Sequence, residues 1–322
     1  MDRRDFIASA TAITLSSTLF AKVNLNQNKP IKIGIIGLDS THSLAFTKAI
    51  NRGKNAIYEG FIVIAAYPFG SKTIPLSQER IPKFTEEIQQ YGVKIVESIS
   101  VLLSQVDCVL LETNDGNLHL EQALEVIKSK KPLFIDKPIA NSYTDAFKIF
   151  QEAKNNNVPV FSSSALRFIE GISDFDRSKL IGASVYCPAP TEPSHNDLYW
   201  YGIHGVEMLF RIMGPDCFSV RSFESSDSTI YIGTWKEGKQ ASLHGMQKEF
   251  EDFGGTIFLE NGKKDLGKFT GYEALLEQIL KFYKTGVSPV PEKETLGICA
   301  FIDAAAISKR KGGKEIKLQA HK

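Results

Sequence analysis

Residues 31–42 read Ile31-Lys-Ile-Gly-Ile-Ile-Gly37-Leu-Asp39-Ser-Thr-His42, a nearly continuous apolar run that ends at a glycine and continues into polar residues. A short apolar run of this kind is typical of a strand that is buried on both faces of a parallel sheet. Ser40 or Thr41 can cap a helix over residues 43–51. The stretch therefore predicts the first strand, turn and helix of an α/β unit.

The same strand–helix alternation continues along the chain. Apolar runs predict further strands at residues 61–67, 106–111, 132–135 and 158–161. Helical spacing of apolar residues follows Leu118 and again Tyr143. The alternation predicts a Rossmann-like domain over residues 29–162, with a parallel sheet, right-handed crossovers and helices on both faces.

The pattern changes after Phe161. Short β-prone segments separated by turn residues predict a mainly antiparallel open sheet. Helices are expected at residues 201–213, 272–283 and 294–309. Residues 163–322 are therefore expected to form a second, α+β domain, and the fold class is α/β.

Composition excludes several classes of protein. The chain has 322 residues, 43% of them hydrophobic, which is enough for two domains with cores of their own. Its 38 basic and 37 acidic residues leave a net charge of +1, which argues against a nucleic-acid partner. The four cysteines lie far apart with no metal-ligand spacing, so neither a disulfide scaffold nor a metal site is predicted. A metal site built from His195, Asp197 and His204 stays open as a minor alternative.

The N-terminus has the pattern of an export signal. Arg3 and Arg4 precede Phe6 and an uncharged stretch that is too short and too polar to span a bilayer stably. This pattern resembles the twin-arginine signal, which exports folded proteins. We expect residues 1–28 to be a signal and linker and the protein to be periplasmic. The alternative is a charged tail on a cytoplasmic protein.

The turn after the first strand departs from the G-x-G-x-x-G pattern that brings a dinucleotide's phosphates close to the backbone. Gly37 occupies the first glycine position, but Asp39 and His42 occupy the other two. We expect Gly37, Asp39, Ser40, Thr41 and His42 to contact a cofactor. The alternative is that Asp39, Ser40 and Thr41 only cap the helix.

Other candidate residues follow the ends of later strands, where sheets of this type bind ligands. Ser71 and Lys72 stand where an acid usually holds the ribose, and they suit the 2′-phosphate of NADP, although Lys72 is equally consistent with a solvated loop. The remaining candidates after strands are Asn114, His119, Asp136 and Lys137. Lys137 lies between an acid and Pro138, which restricts the turn. On its own this motif is equally consistent with an exposed lysine.

A last group of candidates opens a helix of the second domain. His204 follows Trp200 and Tyr201 and precedes Glu207 by three residues. A lone histidine on such a helix is also compatible with a core position. The candidates for sugar binding are His195, Asp197, Trp200 and Tyr201.

Together these motifs resemble the Gfo/Idh/MocA oxidoreductases, the family of glucose-fructose oxidoreductase and inositol dehydrogenase. The resemblance covers nearly the whole chain after the signal. It rests on IGIIG at residues 33–37, Asn114 with His119, Asp136-Lys137-Pro138 at the Glu-Lys-Pro position, Gly202-Ile203-His204 at the Gly-x-His position, and the closing segments after Glu294.

The resemblance implies NAD or NADP, a homo-oligomer, and hydride exchange between nicotinamide and a sugar, polyol or related hydroxyl. It implies that Lys137 polarises the substrate oxygen and that His204 is the acid/base. Trp200 replaces the aspartate that the family usually has four residues before the histidine; His195, Asp197 or Glu207 are the candidates to substitute for it. Two alternatives remain: a lyase or isomerase with a retained nicotinamide, and a non-catalytic carbohydrate-binding relative without a cofactor.

Overall fold

A computed structural model describes residues 29–248 and 250–319, which form two sheets. The first sheet has six parallel strands in the order β3-β2-β1-β4-β5-β6. Its strands are β1 (Ile31–Ile36), β2 (Phe61–Tyr67), β3 (Lys94–Ile95), β4 (Cys108–Leu111), β5 (Leu133–Asp136) and β6 (Val160–Ser163). The helices that connect them are α1 (Thr41–Arg52), α2 (Pro75–Gln89), α3 (Ile99–Leu103), α4 (His119–Lys128) and α5 (Tyr143–Asn155).

Helices cover both faces of this sheet. Apolar side chains of α1 and α2 pack on one face, and those of α3, α4 and α5 pack on the other. The strand order reverses between β1 and β4, so the loops after these two strands diverge and leave a crevice at their carboxyl ends. The predicted parallel sheet with helices on both faces is confirmed.

The second sheet has seven strands in the order β12-β11-β7-β10-β9-β8-β13. They are β7 (Leu180–Pro188), β8 (Cys217–Glu224), β9 (Ser228–Trp235), β10 (Gln240–Met246), β11 (Gly254–Leu259), β12 (Gly262–Asp265) and β13 (Ile316–Lys317). All pairs are antiparallel except β7 with β10, which confirms a mainly antiparallel sheet. The helices α6 (Ile203–Met213) and α8 (Glu292–Arg310) pack on one of its faces.

The remaining helix, α7 (Glu273–Thr285), returns from the second region to the first sheet. Leu276 and Phe282 join the core formed by α1, α2 and the first sheet. The Tyr283 hydroxyl donates a 2.6 Å hydrogen bond to the Val109 carbonyl of β4. The two regions are therefore tied together by a helix that the sequence assigned to the second domain alone.

Two helices had no counterpart in the sequence analysis. Helix α2 contains Pro82 and buries only three side chains, so its apolar pattern is weak. Helix α3 is five residues long, shorter than a periodic pattern needs. Within the described ranges, no helix combines the length and apolar character needed to cross a membrane. The expected export signal lies outside the described residues.

Candidate active site

A cavity of about 330 Å³ lies at the carboxyl edge of the first sheet, bounded on its far side by the second region. Strand ends and the α1 N-terminus supply its polar wall, and α6 with the segments around β11 and α7 supply its aromatic wall. The lining residues that carry polar groups are Ser40, Thr41, His42, Arg80, Asn114, Asp136, Lys137 and His204, and the aromatic ones are Trp200, Tyr201, Phe253, Phe269 and Tyr272. The structure thus brings Lys137 and His204 to one cavity, as the sequence predicts.

His204 lies in the first turn of α6, and a hydrogen bond to Ser164 holds its ring in place. Its Nδ1 lies 2.6 Å from the Ser164 hydroxyl, which itself accepts a hydrogen bond from the Leu166 amide. Burial, reinforced by the nearby Lys137 charge, lowers the pKa of His204 well below its ordinary value of 6.5. The imidazole is therefore neutral at neutral pH, and its Nε2 is the nitrogen left for proton exchange with a substrate.

Lys137 directly follows the last residue of β5. Its amide donates a 2.8 Å hydrogen bond to the Asp136 carboxylate, and its ammonium lies 5.9 Å from the centre of the Tyr201 ring. Lys137 lines the cavity, and the peptide bond that joins it to Pro138 is cis. A fixed cation at this place can stabilise negative charge that develops on a substrate oxygen.

A buried charge network, which the sequence analysis missed, supports His204. Arg167 pairs with Glu207 at 2.8 Å and with Glu294 of α8 through its other terminal nitrogen. Glu207 also accepts a hydrogen bond from the amide of Ser164, the residue that contacts His204. Glu207 thus pairs with Arg167 and does not line the cavity, so the structure does not place it at the substrate position. These residues are too far apart in sequence for any spacing pattern to reveal them.

The N-terminus of α1 forms the part of the cavity that is suited to a phosphate group. Ser40 and Thr41 line it, and Arg80 of α2 donates a 3.2 Å hydrogen bond to the Asp39 carbonyl of the same turn. Gly37 keeps a φ of 88°, and a Cβ there would collide with Thr113, so the tight turn of the dinucleotide fold is retained. A helix N-terminus beside a guanidinium is suited to an anion, so this part fits the diphosphate of a nicotinamide cofactor.

Asp39 does not face that N-terminus. Its carboxylate is fully buried and accepts hydrogen bonds from the amides of Asn114 at 2.9 Å and Ser71 at 3.3 Å. Burial is the largest influence on the Asp39 carboxyl, and it raises the pKa in spite of those hydrogen bonds. Asp39 therefore joins the loops after β2 and β4 to the turn after β1, and its charge is directed away from the phosphate position.

The loops after β2 and β4 also contact each other directly. The Ser71 hydroxyl donates a 2.8 Å hydrogen bond to Asp115, and both residues are buried. Gly70 has no room for a side chain because a Cβ would collide with the Asp39 carboxylate. Neither Ser71 nor the exposed Lys72 lines the cavity, so their part in holding a 2′-phosphate stays a prediction.

His119, predicted to contact a cofactor, lies beneath the cavity wall. Its ring nitrogens lie 2.7 Å from the carbonyls of Thr113 and Pro138. The side chain thus links the loop after β4 to the turn that carries Lys137. Its position makes it a support for both loops, and a direct role in cofactor binding stays a prediction.

The four predicted sugar-binding residues separate into two pairs. Trp200 and Tyr201 line the main cavity. His195 and Asp197 border a different surface pocket next to α8. The Nε2 atom of His195 accepts a hydrogen bond from the Gly116 amide, and Asp197 accepts one from the Tyr231 hydroxyl. His195, Asp197 and His204 are therefore not brought together as metal ligands.

A second cluster that the sequence did not reveal lies next to Lys137. His42 Nδ1 is 3.1 Å from Asp136 Oδ2 and 3.8 Å from Glu112 Oε2. Burial opposes ionisation of Asp136, but His42 and Lys137 outweigh it and lower the pKa of that carboxyl to about 2. Burial, and then the Asp136 charge, raise the pKa of Glu112 well above its ordinary value.

Comparison with known proteins agrees with this architecture. Residues 31–164 match the GFO_IDH_MocA family model, described as an oxidoreductase family with an NAD-binding Rossmann fold. An uncharacterized oxidoreductase of Streptococcus pneumoniae is 32% identical over 104 residues, which is 31% of this chain and 28% of that protein. This alignment thus spans less than a third of the curated relative.

Two solved structures show the same fold over most of the chain. A probable dehydrogenase from Thermotoga maritima has a TM-score of 0.71 at 18% identity, covering 89% of this chain and 98% of its own. The scyllo-inositol dehydrogenase of Lactobacillus casei, solved with NAD(H) and scyllo-inositol, has a TM-score of 0.70 at 13% identity, covering 90% and 99%. The family match identifies NAD or NADP as the cofactor class of the first domain. Residues 31–164 are therefore similar to the NAD-binding Rossmann fold of the Gfo/Idh/MocA oxidoreductase family.

Proposed function

We propose that this chain is an NAD(P)-dependent oxidoreductase that exchanges a hydride with a hydroxyl-bearing carbon of a sugar, polyol or sugar derivative. The observation that carries the proposal is the meeting of Lys137 and His204 in one cavity with the α1 N-terminus. The two residues come from different regions of the chain, so only the assembled molecule creates this pairing.

The two side chains have complementary tasks in such a reaction. A bound nicotinamide supplies the hydride acceptor or donor. As the substrate hydroxyl is oxidised, neutral His204 accepts its proton, and Ser164 holds the ring in place. The Lys137 ammonium stabilises negative charge on the same oxygen. In the reverse direction His204 returns the proton.

The substrate class is proposed from the cavity walls. The cavity has a volume of about 330 Å³, with five aromatic side chains on one wall and polar groups on the other. This combination suits a small ligand that has apolar faces and several hydroxyl groups. The polyol bound in the structural relative supports this class for the present chain.

Titration of NAD⁺ and NADP⁺ into the purified protein, followed by turnover with a panel of sugars and polyols, tests the proposal. We expect one cofactor to bind and at least one polyol or sugar to give reduced nicotinamide. Binding of neither cofactor would contradict the proposal. Turnover without added cofactor, with no net oxidation, would favour the lyase or isomerase.

A second candidate is a carbohydrate-binding protein without a cofactor. The Ser71–Asp115 hydrogen bond favours it, because it joins the loops after β2 and β4 across the edge where the adenosine half of a dinucleotide is expected. Sugar binding measured by calorimetry, with no response to either dinucleotide, would select this candidate over the oxidoreductase.

Three further proposals concern organisation. We place the boundary between the domains after residue 162, next to the end of β6. The face of the second sheet opposite α6 and α8 exposes the apolar residues Phe223, Ile230 and Phe258. We propose that this face joins copies of the chain. Light scattering that gives the mass of one chain would contradict the oligomer.

We also propose that the Arg3-Arg4 pair directs export to the periplasm. A reporter fusion in which both arginines are changed to lysine would test this.

A further inference from the structure

Three buried side chains converge beside the α1 end of the cavity. His42, Glu112 and Asp136 are 6%, 0% and 2% exposed. One ligand atom of each lies within 4.8 Å of the others, and His42 Nδ1 is 3.1 Å from Asp136 and 3.8 Å from Glu112. In the described part of the chain, this is the one group of three or more such side chains close enough to share a metal ion.

Glu112 lacks a hydrogen-bonding partner in this group. Both carboxylate oxygens of Glu112 and the Nδ1 of His42 have no hydrogen bond within the described residues. A fully buried carboxylate without a partner is costly, and buried polar atoms are nearly always paired with protein, water or an ion. Some group that interacts with Glu112 is therefore needed at the centre of the cluster.

The fold holds the three donors towards one point. Glu112 directly follows β4, and Asp136 is the last residue of the neighbouring strand β5. His42 lies in the first turn of α1, which follows β1 on the other side of β4. The Lys137 amide binds Asp136 Oδ1, which leaves Oδ2 to face His42. Phe46 and Tyr272 pack against the His42 ring at 5.3 and 4.4 Å between ring centres.

We propose that His42, Glu112 and Asp136 bind a divalent first-row metal ion, with Zn²⁺ or Mn²⁺ as the occupant. An imidazole nitrogen with two carboxylates suits these ions, whereas Ca²⁺ and Mg²⁺ prefer oxygen ligands alone. The 3.1 and 3.8 Å separations of His42 Nδ1 from the two carboxylates are compatible with ligand atoms that each lie roughly 2.0–2.2 Å from a central ion. The ion's charge would also offset the two buried carboxylates.

The site has an open side. His42 and Asp136 line the cavity, whereas Glu112 lies behind them. Three protein ligands leave coordination positions for water or a substrate oxygen, as in catalytic metal sites. The ion would therefore bind next to Lys137 and could bind the same substrate hydroxyl or carbonyl. This proposal concerns binding alone and does not require the proposed oxidoreductase activity.

Metal binding can be measured without cofactor or substrate. Protein treated with chelator and dialysed would be titrated with Zn²⁺ and with Mn²⁺, and bound metal counted by elemental mass spectrometry. We expect one ion per chain for at least one metal, and a rise in melting temperature of roughly 5 °C or more at saturating metal. Glu112→Gln should weaken binding by about 100-fold and remove the rise in melting temperature.

Matched variants make the outcome decisive. Asp136→Asn should act like Glu112→Gln, while Asp303→Asn, which changes a carboxylate of α8 outside the cavity, should bind metal like the wild type. Circular dichroism would confirm that each variant is folded. If neither metal binds, or if Glu112→Gln binds as tightly as the wild type, the proposal is overturned, and a proton or water occupies the cluster instead. Cofactor titration on the same samples reports separately on the proposed function.

Discussion

The two halves of the first sheet's carboxyl edge carry similar polar side chains but use them differently. On the β4–β5 side, Lys137 faces a cavity that it shares with His204. On the β1–β2 side, the buried Ser71 binds both the buried Asp39 carboxylate and the buried Asp115 of the loop after β4. The β4–β5 side, the open half, has polar groups that can bind a ligand. In the β1–β2 side, the closed half, the polar groups bind one another and join three loops.

This difference explains the missing glycines. In a G-x-G-x-x-G turn the glycines leave space for phosphates and for close helix packing. Here the side chains of Asp39 and His42 bind neighbouring parts of the chain instead. A motif that departs from its family pattern can thus remain well folded because the new side chains satisfy the adjoining loops.

The largest effect is expected from Lys137→Ala on the open half. Loss of the ammonium should lower kcat about 100- to 1,000-fold, because charge on the substrate oxygen loses its stabilising partner. Steady-state turnover and circular dichroism would be measured together. Lys128→Ala, on the exposed face of α4, is the control and should match the wild type. Wild-type turnover by Lys137→Ala would show that the open half does not do the chemistry.

The support of the open half is tested by Arg167→Met. Removing this buried cation leaves Glu207 and Glu294 without their partner, which should lower the free energy of unfolding by about 3–5 kcal/mol. Urea denaturation measures this loss, with Arg52→Met as the exposed control. A loss below about 1 kcal/mol would mean that the network contributes little to holding Ser164 and His204.

The closed half is tested by Asp39→Ala. The amides of Ser71 and Asn114 would lose their acceptor, so we expect a loss of about 2 kcal/mol in the free energy of unfolding. Asp252→Ala, at an exposed carboxylate, should change stability little. If Asp39→Ala is as stable as the wild type, the loops are not held together by this carboxylate and the contrast between the halves weakens.

The smallest effect concerns pH and His204. The pKa of His204 lies well below 6.5, so the imidazole should stay neutral, and able to accept a proton, as the pH falls through 6.5. We expect kcat/KM for hydroxyl oxidation to stay nearly constant from pH 8 to 6.5 and to fall only at lower pH. The same shift lowers stability as the pH falls from 6.5 towards the folded pKa, because only the unfolded chain gains the proton. An acid limb centred at or above 6.5 would contradict the assignment of His204 as the buried base.

The sequence predicted the parts of the fold that rest on local pattern. Strand β2 runs over Phe61–Tyr67 as expected, because a central parallel strand needs a continuous apolar run. Helix α2 was missed because Pro82 and a sparse apolar face hide its period. The association of α7 with the first sheet depends on contacts such as Tyr283 with Val109, which no local pattern encodes.

The site was predictable only where a family motif marks it. Lys137 and His204 were found through their motifs, and the structure brings them to one cavity. Glu112 and Arg167 carried no sequence signal, because their partners are distant in the chain and meet only after folding. Asp39 was expected to contact a cofactor and His195 a sugar, and only the structure shows that both accept hydrogen bonds from neighbouring loops.

The central claim is that the cavity running from the α1 N-terminus to Lys137 and His204 binds a nicotinamide cofactor, although the loops beside it are joined by buried contacts. Mass spectrometry of the small molecules released from natively purified protein tests this most directly, followed by melting curves with added NAD⁺ and NADP⁺. The account predicts released NAD or NADP, or a clear rise in melting temperature with one of them. No released nicotinamide and no rise with either cofactor would contradict it.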